Sequence, residues 1–202
     1  MKTSKTAFLS VLVVPVLVAR LAMAAVPQFT ADFDHATGTT TFLAKGHPSA
    51  MHINGKGDAP TGKLDVKDGK VSGVLALNLE SLDTGIGMRT HHMKEKYLEV
   101  GKFPQAKLTL NNLPLAAADT TAKDFSLDKV PFTGILSLHG VNKPVSGLAR
   151  IERKGANLHL NAEFPLKISD YGIEIPSFAG ITVADEVDVV IQSDTPLIQA
   201  AK

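Results

Sequence analysis

The feature that most constrains this chain is alternation. From Pro27 onward, apolar and polar residues trade places with period two, and short turn signals interrupt the pattern. Such alternation is written by antiparallel strands with one buried and one wetted face. Leu64 and Val66 lead into Asp68-Gly69, after which Val71, Gly73, Leu75, Leu77 and Leu79 share a face. Asp-Gly supplies the positive φ angles of a two-residue hairpin turn, so these two runs pair. Leu108 and Leu110 open another strand. Phe132, Gly134, Leu136 and Leu138 line one side of the next, with Thr133, Ser137 and His139 opposite. Val145, Gly147, Ala149 and Ile151 continue the alternation up to the Lys154-Gly155 turn. Beyond it, Leu158, Leu160, Ala162, Phe164 and Leu166 face away from Asn157, His159, Asn161 and Glu163, and Val187, Val189 and Ile191 write the last strand.

Strands that are apolar on one face only must close on themselves or stack as two sheets. Closure also removes the open edges along which strands aggregate. The expected fold is therefore all-β and antiparallel, either a closed barrel or two stacked sheets, with one short inserted α-helix. That helix is placed between Met88 and Val100, where Met93, Tyr97 and Val100 recur at helical spacing amid Arg89, Lys94, Glu95 and Lys96. It must end before Phe103-Pro104, since proline disfavours a helical residue ahead of it. Ala116 to Asp128 reads as a loop, and Ser169 to Ala184 as an excursion between strands.

A chain of 202 residues leaves room for one domain and an appendage. The appendage is at the start: Lys2 and Lys5 precede an apolar run from Ala7 to Ala19, and Ala22-Met23-Ala24 follows. Charge, apolar stretch and small-residue cut site are the parts of a secretory signal peptide. The run is shorter than the roughly 20 residues a membrane span needs, and Pro15 and Arg20 interrupt it. Residues 1–24 are thus read as a signal peptide and residues 25–202 as the mature domain, with no integral membrane span. The domain contains no cysteine, which excludes disulfides, thiolate metal sites and thiol nucleophiles. A formal net charge of +1 lacks the strong positive field of a nucleic-acid binder.

The side chains offer little for catalysis. There is no Gly-x-Ser-x-Gly elbow, and Gly85-Ile86-Gly87 does not complete a dinucleotide fingerprint. His91 and His92 are adjacent, whereas a metal pair on a helix wants a spacing of four. His139 and His159 are read onto the polar faces of their strands, where two imidazoles alone do not make a selective metal site. Asp32-Phe33-Asp34 is read as a solvated acidic pair on a strand. Neither an enzyme, nor a metal site, nor a cofactor is expected.

The interior carries more information. Its inward candidates are Leu75, Leu77, Leu110, Phe132, Leu136, Leu138, Leu160, Ala162, Phe164, Val187 and Val189, interspersed with Gly73, Gly134 and Gly147. A small barrel is either filled by its own side chains or holds one ligand, according to their bulk. With 9 Phe, 2 Tyr and no Trp, both outcomes remain open from the residues alone. In the helix, Met93 and Tyr97 are expected to face the barrel. Arg89 or His92 would meet a ligand's polar head, or else serve the backbone.

Three segments resemble the signature regions of the YceI-like family: Met88-Arg89-Thr90-His91-His92-Met93 through Lys102-Phe103-Pro104, Phe132-Thr133-Gly134 through His139-Gly140-Val141-Asn142-Lys143-Pro144-Val145, and Ile168 to Ile173. The resemblance implies a bacterial periplasmic protein with an antiparallel lipocalin-like β-barrel of about eight strands around a long-chain lipid. That lipid would be a polyisoprenoid, an isoprenoid quinone or a fatty-acyl amphiphile, held for transport or storage. One position departs from the pattern: Thr90 stands where the family has an aspartate. The alternatives are a structural or stress-related interaction domain that binds nothing inside, and a hydrolase using the histidines. Whether the chain forms a homodimer is left open.

Overall fold

The computed structural model describes residues 28–47, 52–115, 124–178 and 181–199. The proposed signal peptide lies outside them. The strands are β1 (Phe29–Asp32), β2 (Thr37–His47), β3 (His52–Asp58), β4 (Thr61–Lys67), β5 (Lys70–Asn78), β6 (Gln105–Pro114), β7 (Phe125–Leu138), β8 (Val141–Lys154), β9 (Asn157–Lys167), β10 (Ser177–Phe178) and β11 (Ile181–Gln199).

Every main pairing is antiparallel, and the order β1-β4-β5-β6-β7-β8-β9-β11 returns to β1. This closes an eight-stranded barrel. β1 and β2 lie along the same edge of β11, broken only by the 3-10 turn Phe33–His35. β3 and β4 follow each other alongside them in the same way. The second end of the ring is held by two backbone bonds, Lys56 N to Asp83 O at 2.9 Å and Asp83 N to Lys56 O at 2.7 Å.

The turn chemistry explains much of this register. Asp68 and Gly69 take φ of 52° and 70°, the left-handed pair that matches strand twist in a two-residue hairpin. His139-Gly140 does the same between β7 and β8, at φ of 51° and 78°. His139 therefore belongs to a turn rather than to the polar face of a strand. Phe125 to Asp128, expected as loop, is already strand. The register slips between Leu127 and Val130, with Lys129 at φ 53°, and such a bulge hides the period-two signal. The excursion after Ser169 likewise gives way to β11 at Ile181, and the slip between Val183 and Val187 conceals it.

The helix sits where expected. It runs as α1 (Gly87–His92) and continues through Met93–Tyr97 in wider π-type turns. Leu98 N bonds Met93 O at 2.9 Å, and Glu99 at φ 44° ends the run.

The barrel interior divides across its length. Around the β1 end, Phe29, Ala31, Phe33, Leu64, Val66, Leu110, Phe132, Leu158 and Leu160 are buried together. Phe132 meets Phe164 edge to face at 6.0 Å, a geometry that aromatic quadrupoles favour. Gly147 makes room for them: a Cβ there would stand 2.8 Å from the Phe132 ring and 2.7 Å from Phe164 Cβ. Arg153, itself buried, covers the Phe29 ring at 5.0 Å and donates from Nε to Gly155 O at 3.2 Å. This end is plugged.

Candidate ligand cavity

Beyond the Phe132–Phe164 plug the interior is open. A cavity of about 650 Å³ extends through the other half of the barrel to a mouth covered by the helix and by the segment after β9. Protein interiors tolerate few voids larger than a water molecule, whereas ligand pockets run to roughly 300–1,000 Å³.

Register places its walls. Leu75, Leu108 and Leu136 form one row across β5, β6 and β7. Phe42, Val189 and Phe164 form another across β2, β11 and β9, and Ala44, Val187 and Leu166 a third, nearer the mouth. Leu77 and Leu138 stand one step further toward the opening on their strands.

The helix brings two stripes to the same space. Arg89, Met93 and Tyr97 follow one another at a spacing of four, beside Met88, His92 and Lys96 at the same spacing, and all six line the cavity. Of the residues expected to face a ligand, Leu75, Leu77, Arg89, His92, Met93, Tyr97, Leu136, Leu138, Phe164, Val187 and Val189 do line it. Leu110, Phe132 and Leu160 do not. They point inward as the alternation requires, but they sit on the plugged side, where neighbours fill the space. Period two fixes which face a residue occupies and says nothing of its height along the barrel axis.

Sequence reasoning missed Phe42, Ala44, Ile53, Leu166, Ile168 and Val183 as wall residues. Phe42-Leu43-Ala44 is continuously apolar, so alternation cannot say which of the three points in. Ile168 and Val183 lie in the segments where the strand pattern fails.

Arg89 is the charged group of this cavity with the least compensation. Its Nη2 donates to Thr84 O at 2.6 Å, its buried Nε has no partner, and no carboxylate among the described residues pairs with it. Arg89 thus serves the backbone of Thr84 while its charge is paired with no carboxylate among the described residues. Thr90 donates to Asp83 Oδ1 at 2.8 Å and accepts from Thr84 N at 3.0 Å. Asp83 also accepts from Gly85 N at 2.9 Å. These bonds, from Gly85 N first and Thr90 second, hold its carboxyl below the usual carboxylate range. A hydroxyl backed by Asp83 thus fixes the start of the helix.

The mouth is braced on its far side by His139. Its Nε2 lies 2.9 Å from Glu99 Oε2 and its Nδ1 lies 3.1 Å from Tyr171 O, with the ring 4.5 Å from that of Phe103. One side chain thus ties the β7–β8 turn, the end of the helix and the segment after β9. Asp32 is buried rather than solvated. Burial pushes its carboxyl up, but bonds from Asp34 N and His35 and the charge of Lys63 outweigh that and hold it low. His159 bonds Asp194 at 2.8 Å beside a shallow polar depression on the outer wall, where Lys154 pairs with Glu152 at 3.0 Å. Among the described residues no three His, Asp or Glu side chains converge as metal ligands.

A sequence profile of the YceI-like domain matches residues 23–194. The chain belongs to the YceI-like domain family. Relatives named Protein YceI from Salmonella arizonae and Salmonella newport are 30% identical over 149 residues, an alignment covering 70% of this chain and 60% of theirs. Solved structures extend the likeness in fold. A polyisoprenoid binding domain from Saccharophagus degradans, implicated in plant cell wall breakdown, superposes with a TM-score of 0.63 at 17% identity, over 83% of this chain and 97% of that one. Burkholderia cenocepacia BcnA gives 0.60 at 15% identity, over 84% and 99%. The Campylobacter jejuni YceI protein gives 0.55 at 15%, over 74% and 86%. The YceI-like barrel seen here is thus shared by proteins with little sequence in common.

Proposed function

We propose that this YceI-like protein is exported to the periplasm and holds one long-chain amphiphile in its barrel, for transport or storage, without acting as an enzyme. The observation that carries the reading is the cavity of about 650 Å³ whose walls are almost wholly aliphatic and aromatic, with Arg89 at its mouth bonded to Thr84 O but paired with no carboxylate among the described residues. Water gains nothing from such walls, while a hydrocarbon chain gains about 0.8 kcal/mol for each methylene it buries. A polyisoprenoid, an isoprenoid quinone and a fatty-acyl lipid all meet that requirement. The name of the Saccharophagus degradans relative, a polyisoprenoid binding domain, supports the first of these.

Adaptable Met93 suits a site that measures burial more than chain length. Arg89 suits a phosphate or carboxylate head, because a guanidinium offers several donors to such groups. Export rests on the order of Lys2, Lys5, the apolar run and Ala22-Met23-Ala24, and N-terminal sequencing of the native protein should return Ala25 or a residue close to it. Sequencing that returned Met1 would remove the export part of the reading.

The test of the binding reading is organic extraction of natively purified protein followed by mass spectrometry. A long-chain molecule in stoichiometric amount is expected. Protein that carries none, and takes none up when offered, would overturn the reading.

A further inference from the structure

The floor of the cavity holds a hydroxyl with no partner. Next to the row of Phe42, Val189 and Phe164, and one step further from the mouth, β2, β11 and β9 bring Thr40, Ile191 and Ala162 side by side. Thr40 and Ile191 line the cavity and Ala162 does not, so this row is where the open half gives way to the plug. Thr40 is 3% exposed, and its Oγ1 has no hydrogen-bond partner among the described residues. A buried polar atom left in that state costs free energy, and buried hydroxyls nearly always have a partner.

Neighbouring hydroxyls show the contrast. Ser193 and Thr195, each 1% exposed, follow Ile191 on the inward face of β11, deeper in the plug, and there Ser193 Oγ and Thr195 Oγ1 bond each other at 2.9 Å. Nearer the mouth, Thr84 Oγ1 lies 2.9 Å from Thr90 Oγ1. Thr40 alone of these four hydroxyls is unsatisfied by the protein. A valine has the same shape and would carry no such cost, so packing does not account for the oxygen. Rotation about χ1 turns a threonine hydroxyl from one staggered position to another, which gives Oγ1 a route to a guest lying against the floor.

We propose that Thr40 Oγ1 hydrogen-bonds an oxygen carried at the inner end of the ligand, which makes the preferred guest an amphiphile polar at both ends rather than one ending in plain hydrocarbon. A hydroxyl or a carbonyl at that end meets the requirement, because a threonine hydroxyl both donates and accepts. An ionised group does not, since burying a charge against an apolar floor costs far more than burying a hydroxyl. The inference rests on the proposed function, since Thr40 meets a ligand only if the cavity holds one.

The test compares saturated fatty acids with their ω-hydroxy counterparts, over a series of chain lengths, on lipid-extracted wild type, Thr40→Val and Thr40→Ser. The ionised carboxylate keeps to the wet mouth, so the ω-hydroxyl is carried to the floor. At the length that spans the cavity, Thr40→Val should bind the ω-hydroxy acid roughly three- to tenfold less tightly than wild type, the worth of one hydrogen bond. It should bind the plain acid at least as tightly as wild type does, while Thr40→Ser keeps the wild-type selectivity. Thr40→Val should also melt no lower than wild type, because no bond within the protein is lost. A ratio of the two affinities that Thr40→Val leaves unchanged at every length would overturn the proposal. So would a melting temperature of Thr40→Val well below wild type, which would reveal a structural bond to the hydroxyl. Failure of wild type to bind any of the acids would strike the binding reading itself, and this inference with it.

Discussion

Gly147 shows how one residue decides where the barrel is solid. A methyl group there would stand 2.2 Å from Glu163 O as well as against both rings of the plug, and backbone cannot give way as a flexible side chain can. Gly147→Ala should therefore lower the unfolding free energy by about 1–3 kcal/mol or more, the usual cost of overpacking. Chemical denaturation measures it, and an unchanged midpoint would mean that the plug has room for the methyl group. Glu99 makes a second prediction at this scale. Its bond from Lys102, and then its bond with His139, hold its carboxyl below the usual range. A depressed carboxyl contributes stability that is present above its unfolded pKa and lost as pH falls through the folded value. The melting temperature of Glu99→Gln should accordingly fall short of wild type at neutral pH and converge with it in acid. A gap that stayed constant across that range would assign the loss to packing alone.

At the scale of elements, the helix was legible because its period differs from everything around it. Met93 and Tyr97 could be placed facing the barrel from spacing alone, and they line the cavity. The Asp68-Gly69 hairpin was legible for a similar reason, since two residues with positive φ leave one register. Bulges erased the signal elsewhere. Phe125 and Val183 belong to strands that slip register beside them, and a slip of one residue moves the apolar set to the other face. The break between β1 and β2 was equally silent, because Asp32 bonding Asp34 N at 3.1 Å makes a local turn inside an otherwise extended run. The helix also carries its own prediction. Arg89→Ala should weaken binding of phosphorylated or acidic lipids more than neutral ones of the same chain length, by about 1.5–3 kcal/mol, the worth of a hydrogen bond to a charged group. Titrations with matched pairs check it. Equal losses for both heads would make Arg89 a brace of Thr84 rather than a contact.

For the molecule as a whole, the barrel divides along its axis: the Phe29–Phe132 end is filled by its own side chains, and the other end encloses the cavity in which the proposed ligand would lie. Inward orientation was readable in the sequence; the division was not, because it depends on which rows of side chains meet across eight strands. The division has a thermodynamic signature. Leu160→Ala opens a hole in a filled region and should cost about 2–5 kcal/mol. Leu77→Ala enlarges space that already exists, so only the transfer part is lost, about 1.5–3 kcal/mol at most. Leu136 is placed to test the central claim, since it stands in the cavity wall beside Leu108 and a larger apolar side chain there removes space without adding charge. The decisive measurement is titration of lipid-extracted wild type and Leu136→Phe with a long polyprenyl phosphate. One molecule should bind per wild-type chain, and the variant, folded with a similar melting temperature, should bind it far more weakly. Equal affinity and stoichiometry in the two proteins would contradict the account, because the chain would then lie somewhere other than inside the barrel.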